Sequence, residues 1–180
     1  REVERSFEVS NLHQRVASIS QQRCLEQVEI VDFKPQYRDY FKSLNYSWIQ
    51  KYFEIEVLDE RVLSNPEEII TSGGAIFFAK MSEQVVGTCA LIKLDDTTYE
   101  LAKMAVDENF QGKQVGKKLG LAAINRSIEL NAQKLVLESN KNLIPALNLY
   151  KKLGFHPVCT DHHKSMYQRA NITMEMCLQP

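Results

Sequence analysis

The sequence predicts a mixed α/β domain, and three observations carry that prediction. Short β-rich runs bounded by turn residues are interleaved with longer segments of helical period. Two of the runs stand close enough to form a hairpin. Late in the chain a strand, a helix and a further strand follow one another as in a βαβ-like unit. At 180 residues the chain has the size of one domain and can bury a core without disulfides or metal.

Residues 1–27 read as an N-terminal extension, helical or poorly ordered: glutamine, serine and charge dominate, with Leu12, Val16 and Ile19 at helical spacing. The domain proper is taken as 28–180. Val28 to Phe33 reads as a strand. Pro35 suits a first helical turn, and the helix it opens is expected to reach about Phe53, with Tyr37, Phe41, Leu44, Trp48 and Tyr52 on one side. Asn65, Pro66, Glu67 and Glu68 read as an N-cap, a proline at the first position and acids in the first turn; Ser72-Gly73-Gly74 ends that helix. Ala75 to Lys80 and Val85 to Lys93 form the hairpin about Met81-Ser82-Glu83-Gln84, and Asp95-Asp96-Thr97 turns the chain into a strand from Tyr99 to Val106. The period then changes: Val115, Leu119, Ala122, Ala123 and Ile128 describe a helix from about Gly112 to Asn131. Lys134 to Ser139 is a strand, and Pro145 to Leu153 a helix closed by Gly154. Pro157 to Cys159 and Ile172 to Leu178 are the last strands.

Bulk composition excludes more than it assigns. A net charge of −1 gives no general attraction to nucleic acid or to an anionic membrane, so an anionic ligand must be held by a local cluster. Cys24, Cys89, Cys159 and Cys177 are scattered, as expected of free thiols in a reducing cytoplasm. No apolar run approaches the ~20 residues that cross a bilayer, and the polar start of the chain lacks a secretory apolar segment. The expectation is a cytoplasmic protein without nucleic-acid or membrane partners. Asp161, His162 and His163 crowd into one loop with no second ligand pair, so a surface loop rather than a metal site is expected there. Cys89 lies in a strand with no neighbouring histidine, which argues against a nucleophile.

The segment Met104 to Leu119 holds the most chemistry. A strand runs into a short polar turn and a helix begins at once, so the helix's first N–H groups and its dipole face the turn. That is an anion site suited to phosphate or pyrophosphate. Gly112 removes the side chain that would block approach, Gly116 lets the first helical turn sit near the ligand, and Lys113, Lys117 and Lys118 add local positive charge. Spacing alone slightly favours the plainer reading, a simple turn and a solvated lysine face. A nucleotide-triphosphate loop does not fit, since Gly112-Lys113 is followed by Gln114 with no glycine five residues earlier, and no dinucleotide fingerprint is present.

Gln111-Gly112-Lys113-Gln114-Val115-Gly116 resembles the acetyl-CoA-binding motif of the GNAT superfamily, Q/R-x-x-G-x-G/A. Gln111 and Gly116 match, and Gln114 replaces the central glycine. Leu149-Tyr150-Lys151-Lys152-Leu153-Gly154-Phe155 resembles the second motif of that superfamily, L-Y-x-K-x-G-F, in full. The likeness covers about 28–180. It implies the GNAT acyl-CoA N-acyltransferase fold, a mostly antiparallel sheet splayed at the cofactor site and flanked by helices. It also implies transfer of acetyl from acetyl-CoA, as co-substrate and without metal, to a primary amine by direct attack in a ternary complex.

By the same resemblance, backbone N–H groups of Gln111, Gly112, Lys113, Gln114, Val115, Gly116 and Lys117 would hold the pyrophosphate. Met104, Ala105 and Val106 would bond the pantetheine arm, one N–H polarising the thioester carbonyl. Tyr150 is the candidate proton donor to the leaving thiolate, with core packing as its plainer role; thiols titrate near ~8.5 and phenols near ~10. Asn142 would bond pantetheine or serve only near the helix cap. An ammonium must lose a proton before it attacks, and Glu100 is the first candidate base, Glu138 the second. In a regular strand Glu100 shares a face with Ala102, Met104 and Val106, an alternation that a bulge would reverse. A salt bridge to Lys103 is the plainer role for Glu100. The first two helices would line the acceptor site for a small-molecule or peptide amine, and the late strands could pair across a homodimer. The alternative is a non-catalytic acyl-CoA-binding sensor or scaffold, which the replacement at Gln114 supports.

Overall fold

Alternation along one strand shows how the chain is layered. In Ala75–Met81, Ile76 and Phe78 pack into one apolar cluster while Ala75, Phe77 and Ala79 pack into another, so the strand is buried on both faces. The computed structural model describes residues 28–158 and 165–178. Its strands are β1 (Val28–Asp32), β2 (Ala75–Met81), β3 (Gln84–Lys93), β4 (Thr98–Val106), β5 (Lys134–Ser139), β6 (His156–Val158) and β7 (Ile172–Cys177). They form one sheet in the order β1-β2-β3-β4-β5-β7-β6. Every neighbouring pair is antiparallel except β4 and β5, which are parallel. The expected mixed, mostly antiparallel sheet is therefore present.

Among the described residues five α-helices cover the sheet: α1 (Arg38–Tyr52), α2 (Val57–Ser64), α3 (Pro66–Thr71), α4 (Val115–Glu129) and α5 (Ile144–Leu153). Phe41 and Ile49 of α1, Leu63 of α2 and Ile69 of α3 pack on Ile76, Phe78, Val85 and Ala90. Val115, Leu119 and Ala123 of α4 and Leu147 of α5 pack on the other face, against Phe77, Leu91, Leu101 and Leu135. No helix among the described residues is long and apolar enough to cross a membrane.

The structure corrects four expectations. Three helices, not two, separate β1 from β2; the unforeseen one is α2. Its start is fixed by a capping box in which the Glu56 side chain takes the N3 backbone and Asp59 accepts from the Glu56 N–H at 3.2 Å. Asn65 stands at the N-cap of α3, followed by Pro66 and the two first-turn acids as expected, but its side chain makes no capping bond, because its Nδ2 donates back to the Arg61 carbonyl at 2.8 Å. The buried residues of α1 are Phe41, Asn45 and Ile49; of the side expected to face the core, Leu44 and Trp48 are half-buried against it and Tyr52 is exposed. Finally, α4 starts at Val115 rather than Gly112, because Gln114 takes a left-handed conformation (φ 61°) that a helix cannot continue through. The extension at 1–27, Cys24, Cys159 and the Asp161-His162-His163 loop lie outside the described residues.

Phe78 is fully buried between the sheet and α1, with the Tyr37 ring centroid 5.2 Å away. Phe78→Ala should lower the unfolding free energy by about 3–5 kcal/mol in urea titration, through lost apolar burial and an unfilled cavity.

Candidate active site

A gap opens where β4 leaves β5. The two strands pair only at Thr98↔Lys134, Tyr99↔Leu135 and Glu100↔Val136. Beyond that point β4 runs on beside β3 to Val106, and β5 runs on beside β7 to Ser139. The β5-facing backbone groups of Met104, Ala105 and Val106 thus have no strand partner, and an extended ligand arm could bond them as an inserted strand would.

The parting coincides with a bulge. Thr88 pairs with Ala105 and Ala90 with Ala102, so Lys103 and Met104 together oppose Cys89. Lys103 carries the extra residue's backbone in the left-handed region, at φ 51°. Tyr99 and Leu101 belong to the α4-side core, which sends Glu100 to the α1 side. Met104 and Val106, after the bulge, pack on the α4 side. The shared face expected for Glu100, Met104 and Val106 is therefore overturned: the extra residue inverts the alternation between them.

Past Val106 the Asp107 carboxylate accepts from the Asn109 N–H at 2.9 Å and shapes a short 3-10 turn, Glu108–Phe110. Gln111, Gly112, Lys113 and Gln114 follow, all exposed. Gly112 has φ 77°, and nothing lies within 4 Å of where a Cβ would stand, so a phosphate can reach the backbone there. The first N–H accepted inside α4 is that of Lys118, by Gln114 O at 3.0 Å. The N–H groups of Val115, Gly116 and Lys117 are left facing the turn, and no side chain caps them. Gly116 also has a packing role that the sequence did not show. A Cβ on it would lie 3.1 Å from Leu149 Cδ2, so its smallness lets α4 pack close to α5. Of the three lysines, Lys113 lies over the Phe110 ring at 4.8 Å, whereas Lys118 Nζ donates to the Val28 carbonyl at 3.0 Å and so reaches β1.

Tyr150 stands on the opposite side of the gap from Glu100. It packs against the α4-side core, its ring 6.2 Å from that of Phe155, and burial pushes its hydroxyl up to about 12. The phenol is thus protonated at neutral pH. Burial, then repulsion from Glu138, pushes Glu100 up to about 7 against the pull of Lys103. Glu138 accepts from the Ser165 hydroxyl at 2.5 Å. Asn142 is exposed and precedes the cap residue Leu143; its N–H donates to Asn140 Oδ1 at 2.9 Å. Cys89 is fully buried, its thiol donates to the Leu119 carbonyl at 3.6 Å, and burial pushes it up, all contrary to a nucleophile.

Sequence reasoning missed a buried ionic network on the α1 side. Lys103 does not pair with Glu100. Its Nζ donates to Asp59 Oδ1 at 2.8 Å and to the Tyr167 hydroxyl at 2.7 Å. Arg169 grips the same carboxylate with two bonds of 2.6 and 2.7 Å and reaches Glu56 at 2.9 Å. Asp59 is fully buried. Burial works to raise its carboxyl, but the bonds from Arg169 and Lys103 outweigh that and hold it below the usual range. Asn140 extends the network by donating to the Arg169 carbonyl at 2.6 Å. The Glu-x-x-Asp spacing at Glu56 and Asp59 was the available signal, since it marks a helix start. Beside the network, a cleft of about 880 Å³ opens between the α1–α2 connection and the segment before β7, with Phe53, Ile55, Val57 and Met166 on its walls. Among the described residues no group of His, Cys, Asp and Glu is placed to hold a metal ion.

Comparison with known proteins agrees with this geometry. The family model described as "Acetyltransferase (GNAT) family" matches residues 36–155. YvbK of Bacillus subtilis, described as an uncharacterized N-acetyltransferase, is 31% identical over 111 residues, covering 59% of this chain and 72% of its own. Human N-acetylaspartate synthetase is 33% identical over 93 residues, covering 51% of this chain but only 31% of the synthetase. Among solved structures, a GNAT-family acetyltransferase of Staphylococcus aureus Mu50 superposes with a TM-score of 0.77 at 24% identity, over 84% of this chain and 99% of that one. YncA of Salmonella typhimurium, solved with its cofactor acetyl-CoA, superposes with a TM-score of 0.68 at 14% identity, over 85% and 95%. At such identities the structures speak for the fold alone.

Gln114→Gly should raise stability by about 1 kcal/mol in chemical denaturation, since glycine takes the left-handed conformation without the Cβ clash, and should leave the turn's path unchanged. The splayed sheet, the uncapped turn before α4 and the match over residues 36–155 together show that this chain belongs to the GNAT acetyltransferase family.

Proposed function

We propose that the protein transfers acetyl from acetyl-CoA to a primary amine, by direct attack in a ternary complex, with Glu100 as base and Tyr150 as acid. The observation that carries this reading is the parting of β4 from β5, with Glu100 on one face of the sheet and Tyr150 on the other. A thioester laid in the gap would meet its amine from the α1 side and release its thiolate toward the α4 side. Bound acetyl-CoA would supply the activated acetyl group. The pyrophosphate would lie on the Val115, Gly116 and Lys117 N–H groups and beside Gly112. Met104, Ala105 and Val106 would supply backbone bonds to the arm, one of them polarising the carbonyl.

Each proton has an assigned route. Glu100, ionised above about 7, takes the ammonium's proton before attack. The Tyr150 hydroxyl makes no hydrogen bond among the described residues and holds its proton at neutral pH, so it is available to donate to the thiolate. Burial that raises the phenol would raise a thiol seated beside it in the same sense, which keeps the two matched. The buried, inert Cys89 supports direct attack over an acyl-cysteine intermediate.

The acceptor is proposed only as an amine, reached from the α1 side past the cleft at Val57 and Met166. The name of the human relative, N-acetylaspartate synthetase, makes aspartate one member of the panel to try. The scattered cysteines make the cytoplasm the proposed compartment. A non-catalytic acyl-CoA sensor, the second reading, rests on Gln114. Against it, Gln114 already holds the left-handed geometry that glycine favours.

Acetyl-CoA at a hundred times its Kd should stabilise the fold by about 2.7 kcal/mol in thermal and calorimetric titration. Tyr150→Phe should keep that binding while slowing amine-dependent CoA release by about 10²-fold or more. Binding without amine-dependent CoA release across an amine panel would instead favour the sensor. The release rate should rise as pH passes through about 7, where Glu100 loses its proton, and Glu100→Gln should abolish that limb.

A further inference from the structure

We propose that Asp59 is a positioning residue: it draws the Lys103 ammonium away from Glu100 and so keeps that carboxyl unpaired for the acceptor amine. The inference rests on the assignment of Glu100 as base.

The geometry begins with the bulge. In a regular strand, residues three apart point to opposite faces. The left-handed backbone at Lys103 instead turns its side chain to the α1 side, where Glu100 also points. A buried ammonium and a half-buried carboxyl on one face of one strand would ordinarily pair, because both are poorly solvated there. Here they do not. Lys103 is nearly sequestered, with 6% of its side chain exposed, and its bonds go to Asp59 and to the Tyr167 hydroxyl. The ammonium also lies 4.2 Å from the Tyr167 ring centroid. Glu100 makes no hydrogen bond or ion pair among the described residues.

Asp59 is itself held by three bonds besides that from Lys103. Arg169 binds both its oxygens, and the Glu56 N–H at the start of α2 donates to it. It cannot swing toward Lys103 or away from it without breaking those bonds. The groups that bear on Glu100 are Glu138 from β5, Lys103 from its own strand and Tyr167 from the segment before β7. Asp59 of α2 and Arg169 stand behind Lys103. A direct Lys103–Glu100 pair would lock the carboxylate in its charged form and occupy the oxygen that must receive the amine's proton.

The test reads the Glu100 carboxyl directly, by NMR titration of protein labelled with 13C at glutamate Cδ, with Glu100→Gln to assign the signal. Neither acetyl-CoA nor amine is present, so the result stands apart from any transferase assay. The wild-type midpoint is expected near about 7. Lys103→Met should move it up by about one unit or more, and Asp59→Asn should move it down by a similar amount as the released ammonium turns to Glu100. In the Lys103→Met background, Asp59→Asn should no longer lower it. An equal downward shift in both backgrounds would mean that Asp59 acts by direct repulsion and would overturn the proposal. An unmoved midpoint in Lys103→Met would overturn it as well, and decides the matter alone if Asp59→Asn does not fold.

Discussion

The extra residue in β4 at Lys103 is the constraint on which the rest of the site depends. One residue too many opposite Cys89 inverts the strand's alternation, so residues before and after it serve different faces. Glu100 is delivered to the helix side of α1 and α2, while Met104 and Val106 are delivered to the side of α4 and α5. The strand also turns away from β5 near this point, and the gap that follows leaves backbone groups of β4 without a ladder. A non-glycine residue in the left-handed region costs about 1–2 kcal/mol. The bonds of Lys103 Nζ to Asp59 and Tyr167 offset that cost, so the strained backbone and the buried ion network stabilise one another.

Charge in this protein is organised locally. The net charge of −1 hides two contrasting regions. On the α4 side, N–H groups of a helix start and an open glycine offer partial positive charge with little contribution from side chains. On the α1 side, Glu56, Asp59, Lys103 and Arg169 satisfy one another in a half-buried network, and Glu100 and Glu138 lie beside it. Burial then separates the two candidate acid–base groups, lifting Glu100 to about 7 and Tyr150 to about 12. One becomes able to exchange a proton near neutrality, and the other retains its own.

Much of the architecture was legible because its signals are local. The Ser82-Glu83 turn joins two antiparallel strands, and Asp95 accepts from the Thr97 and Thr98 N–H groups, both at 2.8 Å, as a turn aspartate should. The change from period two to helical period after Val106 located α4, and the two motifs located the turn and Tyr150. What failed, failed for physical reasons. Helix α2 is short, and its capping box uses Glu56 and Asp59 in place of the usual hydroxyl, so its start carried a weaker signal. The aromatic side of α1 looked like core because its rings are apolar. Phe41, Asn45 and Ile49 are buried, Leu44 and Trp48 are half-buried beside them, and Tyr52 is exposed at the helix end against Trp48 and Phe53.

The sequence by itself determined the fold class, the order of most elements, the polar turn before α4 and the residues that stand as candidates for the site. These follow from apolar period, turn chemistry and short motifs, all of which act within a few residues of chain. Only the tertiary structure decided which face Glu100 occupies, that Gln114 holds a left-handed bend, that Gly116 serves packing, and that Lys103 bonds Asp59 rather than its strand neighbour. Each of those turns on a register shift or on a partner at a distance in sequence: Lys103 and Asp59 are 44 residues apart, and Arg169 and Asp59 are 110 apart. No local pattern encodes such a meeting; it exists only once β4, α2 and the segment before β7 have been packed together.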